Sequence, residues 1–83
     1  MYRYKLSIHA DRELKKLPIT IQKQIITKLD YFVSTDQPLS FAHHLVNLDI
    51  GHYRFRIGNY RVIFDIEADV ILILSVGHRK EIY

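Results

Sequence analysis

The sequence predicts one α+β domain spanning residues 1–83. The expected order is an N-terminal strand, a helical hairpin and a three-strand antiparallel meander, with the two helices packed on one face of an antiparallel sheet. Three observations predict it. Apolar residues recur with period two near the N-terminus, with helical spacing from Ala10 to Val33, and with period two again after His52. The pair Gly58-Asn59 separates two alternating runs, a two-residue hairpin signal with Gly first, as in a type II′ turn. Finally, 83 residues of which 48% are hydrophobic suffice for one core and leave no room for a second.

Each element has its own justification. In "YRYKLSIH", Tyr2, Tyr4, Leu6 and Ile8 fall on one side and Arg3, Lys5 and Ser7 on the other, which predicts a half-buried strand that ends near His9. "ADRELKKLP" places Ala10, Leu14 and Leu17 at helical spacing, with Asp11 as cap or first-turn acid and Pro18 as the stop. From Thr20, the residues Ile21, Ile25, Ile26, Leu29, Phe32 and Val33 trace one face of a second helix. Ser34, Asp36, Gln37 and Pro38 read as a loop. "FAHHLVNL" is then a connecting piece in which His43 and His44 are loop residues and Leu45 and Leu48 dock on the core. Strands are expected at His52–Ile57, Tyr60–Ile66 and Val70–Val76, the last two joined at Ala68-Asp69.

Composition narrows the function classes. With no cysteine, disulfides and cysteine-ligated zinc are excluded, and a small unstapled domain fits the cytoplasm. The first residues lack the apolar stretch of a signal peptide, and the run Val70 to Leu74 is far too short to span a bilayer. A net charge of +3 is a mild pointer to an anionic partner. Between His52 and Arg61 there are three arginines and no acid. The five histidines form no ligand pattern: His43 and His44 are adjacent, no acid cluster accompanies them, and no metal site is expected.

The hairpin fixes a register. A turn at Gly58-Asn59 opposes Ile57 to Tyr60, Arg56 to Arg61, Phe55 to Val62 and Arg54 to Ile63. Tyr53, Phe55, Ile57, Tyr60, Val62 and Phe64 then share the core face, and His52, Arg54, Arg56, Arg61, Ile63 and Asp65 share the other. Directly opposed arginines destabilise a sheet by a few tenths of a kcal/mol if solvent screens them; a phosphate between them suits their planar forks. A short turn at Ala68-Asp69 places Val76 beside Arg61 and brings Arg79 to the same end of the sheet, with His78, Lys80 and Tyr83 close behind. In the last strand, Val70, Leu72 and Leu74 alternate with Ile71 and Ile73, so one set faces away from the helices and calls for a second cover.

"YRFR" before the turn, "NYRVIF" after it, an apolar strand and the ending "VGHRKEIY", together with "LKKLP" and the Ile-rich helix that follows, resemble the RelE toxins of the RelE/ParE superfamily of toxin–antitoxin systems. The resemblance covers essentially the whole chain. It implies a ribosome-dependent endoribonuclease that cuts the mRNA codon in the ribosomal A site and thereby inhibits translation. Attack of a ribose 2′-hydroxyl on the adjacent phosphate is the expected chemistry, with no metal or other cofactor. Carried onto matching positions, the site comprises Arg54, Arg56, Arg61, Arg79 and Tyr83, with Arg61 and Arg79 holding the phosphate.

Many relatives carry lysine where this chain has Arg54 or Arg56, and arginine does not give up its proton. The base is therefore open among His78, His52 and Tyr83, with His78 preferred because histidine titrates in the right range. Arg54, His52, Lys80, Lys15 and Lys16 are expected RNA contacts, although a solvated helix face is the plainer reading of Lys15 and Lys16. The resemblance also implies an antitoxin that covers the basic site and the Val70, Leu72 and Leu74 face, forming a heteromeric complex, with the ribosome and mRNA as further partners and no membrane. Two rivals remain: a ParE-like inhibitor of DNA gyrase, and a non-catalytic module that binds RNA or protein.

Overall fold

A computed structural model describes residues 1–44 and 51–79 of the chain. Among these residues, five strands and two helices follow in the order β1 (Arg3–Leu6), α1 (Ile8–Lys15), α2 (Ile19–Ser34), β2 (Ala42–His44), β3 (Tyr53–Ile57), β4 (Tyr60–Glu67) and β5 (Val70–His78). A 3₁₀ turn, Pro38–Phe41, leads into β2. The strands form one sheet of order β1-β5-β4-β3-β2. The predicted α+β class with an antiparallel β3-β4-β5 meander is what forms. The sheet is mixed, however: β1 lies parallel to β5, and β2 adds a fourth antiparallel strand.

Several boundaries differ from the sequence reading. The alternation of the first strand runs on to Ile8, but Ser7 interrupts it by capping α1: its Oγ accepts from the Ala10 N–H at 3.0 Å. His9 therefore lies in the first turn of α1, not at a strand end, and Ile8 is exposed. Asp11 is the first-turn acid, as expected. His43 and His44 belong to β2 rather than to a loop, opposed to Arg54 and Tyr53. Such a short strand has no periodicity of its own; pairing with β3 makes it one. Leu45 and Leu48 lie outside the described residues.

The helices are tied to one another and to the sheet. Gln22 Nε2 donates to the Leu17 carbonyl at 2.8 Å and to that of Lys15 at 3.3 Å, satisfying acceptors left open where α1 ends. Ala10, Leu14, Ile25, Leu29 and Phe32 bury against Phe55, Ile57, Val62, Phe64, Ile71, Ile73 and Val76. Phe55 is the hinge of this core, 4.6 Å from Phe32 and 4.3 Å from Phe64 between ring centroids. Each such fully buried ring contributes about 1.5–3 kcal/mol. The core side of the hairpin is thus the predicted one, and Val70, Leu72 and Leu74 stay only half-buried on the other side.

One irregularity matters for the site. β4 and β5 pair regularly from Glu67↔Val70 to Phe64↔Ile73, and then Ile63 pairs with Ser75. Leu74 is an extra residue, a β-bulge. Without it Ser75 would oppose Val62 on the core side, and Val76 would oppose Arg61. With it Val76 turns into the core at 2% exposure, and Gly77 opposes Arg61. The expected neighbour of Arg61, Val76, is corrected accordingly.

Candidate active site

The Gly58-Asn59 turn forms as the sequence requires. Gly58 takes φ +61°, a left-handed conformation that glycine adopts without strain, and Asn59 does not share it. Arg56 and Arg61 then oppose each other across β3 and β4, and Arg54 opposes Ile63. All three arginines lie on the face away from the helices. Arg79 joins them through its backbone: its N–H donates to the Asn59 carbonyl at 2.9 Å, which fastens the end of β5 to the hairpin turn.

The four arginines differ in exposure. Arg61 is buried at 9% exposure, Arg54 is half-buried, and Arg56 and Arg79 are exposed. Burial, and then the like charges of Arg56, Arg54 and Arg79, push the Arg61 guanidinium below its ordinary pKa. Burial followed by Arg56 does the same to Arg54. A guanidinium shielded from water and crowded by others interacts strongly with any anion that reaches it. The face opposite Arg61 on β5 is a glycine, so Gly77 adds no side chain between that guanidinium and the Arg79 segment.

Other predicted site residues lie elsewhere. His78 opposes Tyr60, not Arg61, and its ring meets the Tyr60 ring edge-on at 5.4 Å. Strand alternation puts that pair on the helix side, so His78 is not among the residues brought together with Arg56 and Arg61. His52 lies before β3, four residues from Arg56 and roughly 13 Å along the strand. Asp65 engages it twice, accepting from the His52 backbone N–H at 2.7 Å and meeting Nδ1 at 2.8 Å. Lys15 pairs with Asp11 at 2.9 Å on α1, and Lys16 is the C-cap of that helix, so both belong to the helix layer. Lys80 and Tyr83 lie outside the described residues.

Three contributors escaped the sequence reading. Asp65 had a signal, because continuing the hairpin register by one step opposes it to His52. Gly77 enters only through the bulge. Glu13 had no signal: it sits on α1, yet its Oε1 accepts from Ser75 Oγ at 2.7 Å and from the Val76 N–H at 3.0 Å.

Comparison with known proteins gives this arrangement its context. The family model described as "ParE toxin of type II toxin-antitoxin system, parDE" matches residues 4–83. The chain is 47% identical over 74 residues to a protein of Methanocaldococcus jannaschii described as Toxin RelE3, covering 87% of this chain and 84% of that one. The toxin–antitoxin complex RelBE2 of Mycobacterium tuberculosis contains a chain that superposes with a TM-score of 0.82 at 29% identity, covering 94% of this chain and 98% of that one. The archaeal RelE–RelB complex of Pyrococcus horikoshii gives a TM-score of 0.73 at 26% identity, over 96% and 97% of the two chains. Among the described residues, no helix is long and apolar enough to cross a membrane.

Proposed function

Because this chain belongs to the RelE/ParE superfamily of type II toxin–antitoxin toxins, we propose that it is a cytoplasmic endoribonuclease that cuts mRNA in the ribosomal A site and so halts translation. The observation that carries this reading is the convergence of Arg54, Arg56, Arg61 and Arg79 at one end of the sheet, with Arg61 shielded from water. Such a cluster fits a phosphodiester and the extra negative charge it gains in a transition state.

In the proposed step, the ribose 2′-oxygen forms a bond to the adjacent phosphorus and the bond from phosphorus to the 5′-oxygen breaks. The 2′-hydroxyl proton leaves and a proton reaches the departing oxygen. The products are a cyclic phosphate on one fragment and a 5′-hydroxyl on the other. Arg61 and Arg79 hold the phosphate oxygens, and Arg54 and Arg56 add charge along the strand. Tyr83 is the proposed aromatic partner in proton transfer or base stacking. The contact of His78 with Tyr60 does not favour it as the base.

The solved relatives are complexes with antitoxins, which supports an antitoxin partner for this chain as well. The half-buried Val70, Leu72 and Leu74 face, on the same side of the sheet as the arginines and running toward the other end of β5, suits such a partner, whose acidic residues would pair with the cluster. Cleavage of mRNA on programmed ribosomes tests the proposal. Cut A-site codons, lost on Arg61→Ala and Arg79→Ala, are expected; intact codons under bound protein would overturn it. The family description, which names parDE, keeps a second reading as an inhibitor of DNA gyrase. Accumulation of gyrase–DNA cleavage complexes with intact mRNA is the outcome that favours it.

A further inference from the structure

The end of β5 that carries Arg79 is held from the opposite layer of the molecule. β1 pairs with β5 only as far as Leu6↔Ile73, so among the described residues no strand lies beside the next backbone groups of β5 on that side. Helix α1, which follows β1 directly, takes over. The Ser7 N–H donates to the Ile73 carbonyl at 2.8 Å, and Ser7 Oγ reaches the carbonyl of the bulge residue Leu74 at 3.4 Å. Two turns on, Glu13 Oε1 accepts from Ser75 Oγ and the Val76 N–H, and His9 Nε2 lies 3.1 Å from the same oxygen. Ser75 is buried at 4% exposure, so its hydroxyl needs this acceptor.

These contacts bracket the irregular step between β4 and β5. The bulge at Leu74 decides whether Gly77 or Val76 opposes Arg61. Removing it would slide residues 75–79 by one position against β4, a shift of roughly 3.3 Å. Arg79 would then lose the Asn59 carbonyl as its backbone acceptor and its place beside Arg61. A carboxylate that binds both Ser75 and Val76 recognises the bulged register, because only there do the hydroxyl and the N–H meet it together.

We propose that Glu13 is a positioning residue: by gripping Ser75 and Val76 it selects the bulged register of β5 and thereby sets Arg79 against Arg61. Its activity readout rests on the endoribonuclease reading; its register readout does not. Neither Glu13 nor Ser75 touches the proposed substrate, since both contacts lie at the α1 junction.

The full chain is compared with Glu13→Ala, Glu13→Gln and Ser75→Ala. Cross-strand nuclear Overhauser contacts report which residue of β5 opposes Arg61, and ribosome-bound mRNA cleavage reports kcat and KM. Glu13→Ala is expected to weaken the Arg61–Gly77 contact in favour of Arg61–Val76. It should lower kcat by at least about tenfold with little change in KM, as a misplacement of an ångström or more does. Glu13→Gln keeps an acceptor oxygen and is expected to restore both. Ser75→Ala removes one of the two grips and gives an intermediate result, which decides the matter should Glu13→Ala fail to fold. A Glu13→Ala protein with the wild-type register overturns the proposal, as does Ser75→Ala indistinguishable from wild type in both readouts. If the unaltered chain cuts no mRNA, the endoribonuclease reading fails and the register contacts alone decide the role of Glu13.

Discussion

Arg56 and Arg61 stand directly opposite each other across the β3–β4 hairpin, two like charges where a sheet ordinarily places complementary ones. Burial of Arg61 and the charges of Arg56, Arg54 and Arg79 disfavour its charged form. On the endoribonuclease reading proposed above, the cluster gives up stability to meet the phosphate. Replacing Arg61 by the similarly shaped but neutral Met is expected to leave the melting temperature unchanged or raise it by a few degrees, while mRNA cleavage falls by about a hundredfold or more. Calorimetry and the ribosome assay check the two halves. A Met variant that melts much lower with full cleavage would contradict both.

Position along β3 separates His52 from the cluster. His52→Ala is expected to change cleavage by less than about threefold, and Arg56→Ala by more than about tenfold. The same assay compares them. Because Asp65 holds both the backbone and the ring of His52, Asp65→Ala is expected to cost about 1 kcal/mol in chemical denaturation, more than His52→Ala.

Gly51 fits a slot on the outer face of the sheet. A methyl group there would lie 2.9 Å from Ile63 Cγ2, 3.2 Å from Leu74 Cδ1 and 3.3 Å from the Phe64 carbonyl oxygen. Gly51→Ala is expected to destabilise the fold by about 1–3 kcal/mol, because Ile63 is fully buried and has little room to yield. Urea unfolding measures it.

Tyr4 gives the alkaline limb of stability. Its hydroxyl donates to Asp30 Oδ1 at 3.1 Å, and burial, followed by that bond and the Asp30 charge, pushes its pKa up to about 12. A raised folded-state value means that the stabilisation is complete below the unfolded value near 10 and is lost as pH rises through about 12. Partial exposure reduces the effect to about 1 kcal/mol. Tyr4→Phe should flatten the decline of stability between those two values, as followed by denaturation at a series of pH values.

Ala68 adopts φ +55° in the turn between β4 and β5, a conformation costly for any residue with a β-carbon. Ala68→Gly is expected to stabilise the protein by about 0.5–1 kcal/mol and leave cleavage unchanged. Gly58→Ala, at φ +61° and 3.3 Å from Gln24 Nε2, should do the reverse.

What could be read from the sequence follows from how local each signal is. The Gly58-Asn59 turn dictates its own geometry, so the Arg56–Arg61 opposition and the core face of the hairpin were legible. The bulge was not: "VILILS" is apolar on both faces, and no alternation marks where a residue is inserted. Nor was β2, whose strand character comes from lying beside β3. The first boundary turned on Ser7, which continues the alternation as a polar residue and also caps a helix; only packing on β5 decides between the two. Glu13 reads as an ordinary exposed helix acid until the sheet places Ser75 next to it.

The sheet order has a consequence for how the molecule is made. Among the described strands, β1 has one neighbour in the sheet, and that neighbour is β5, synthesised after the other four. The hairpin of β3 and β4 can form early, but β1 has nowhere to pair until β5 has emerged, and β5 also completes the arginine cluster through Arg79. Closure of the sheet and assembly of the site are therefore a single late event. A nascent chain emerging from the ribosome brings Arg54, Arg56 and Arg61 together on the hairpin first and keeps Arg79 apart from them until β5 is made, so the direction of synthesis leaves the fourth arginine to last.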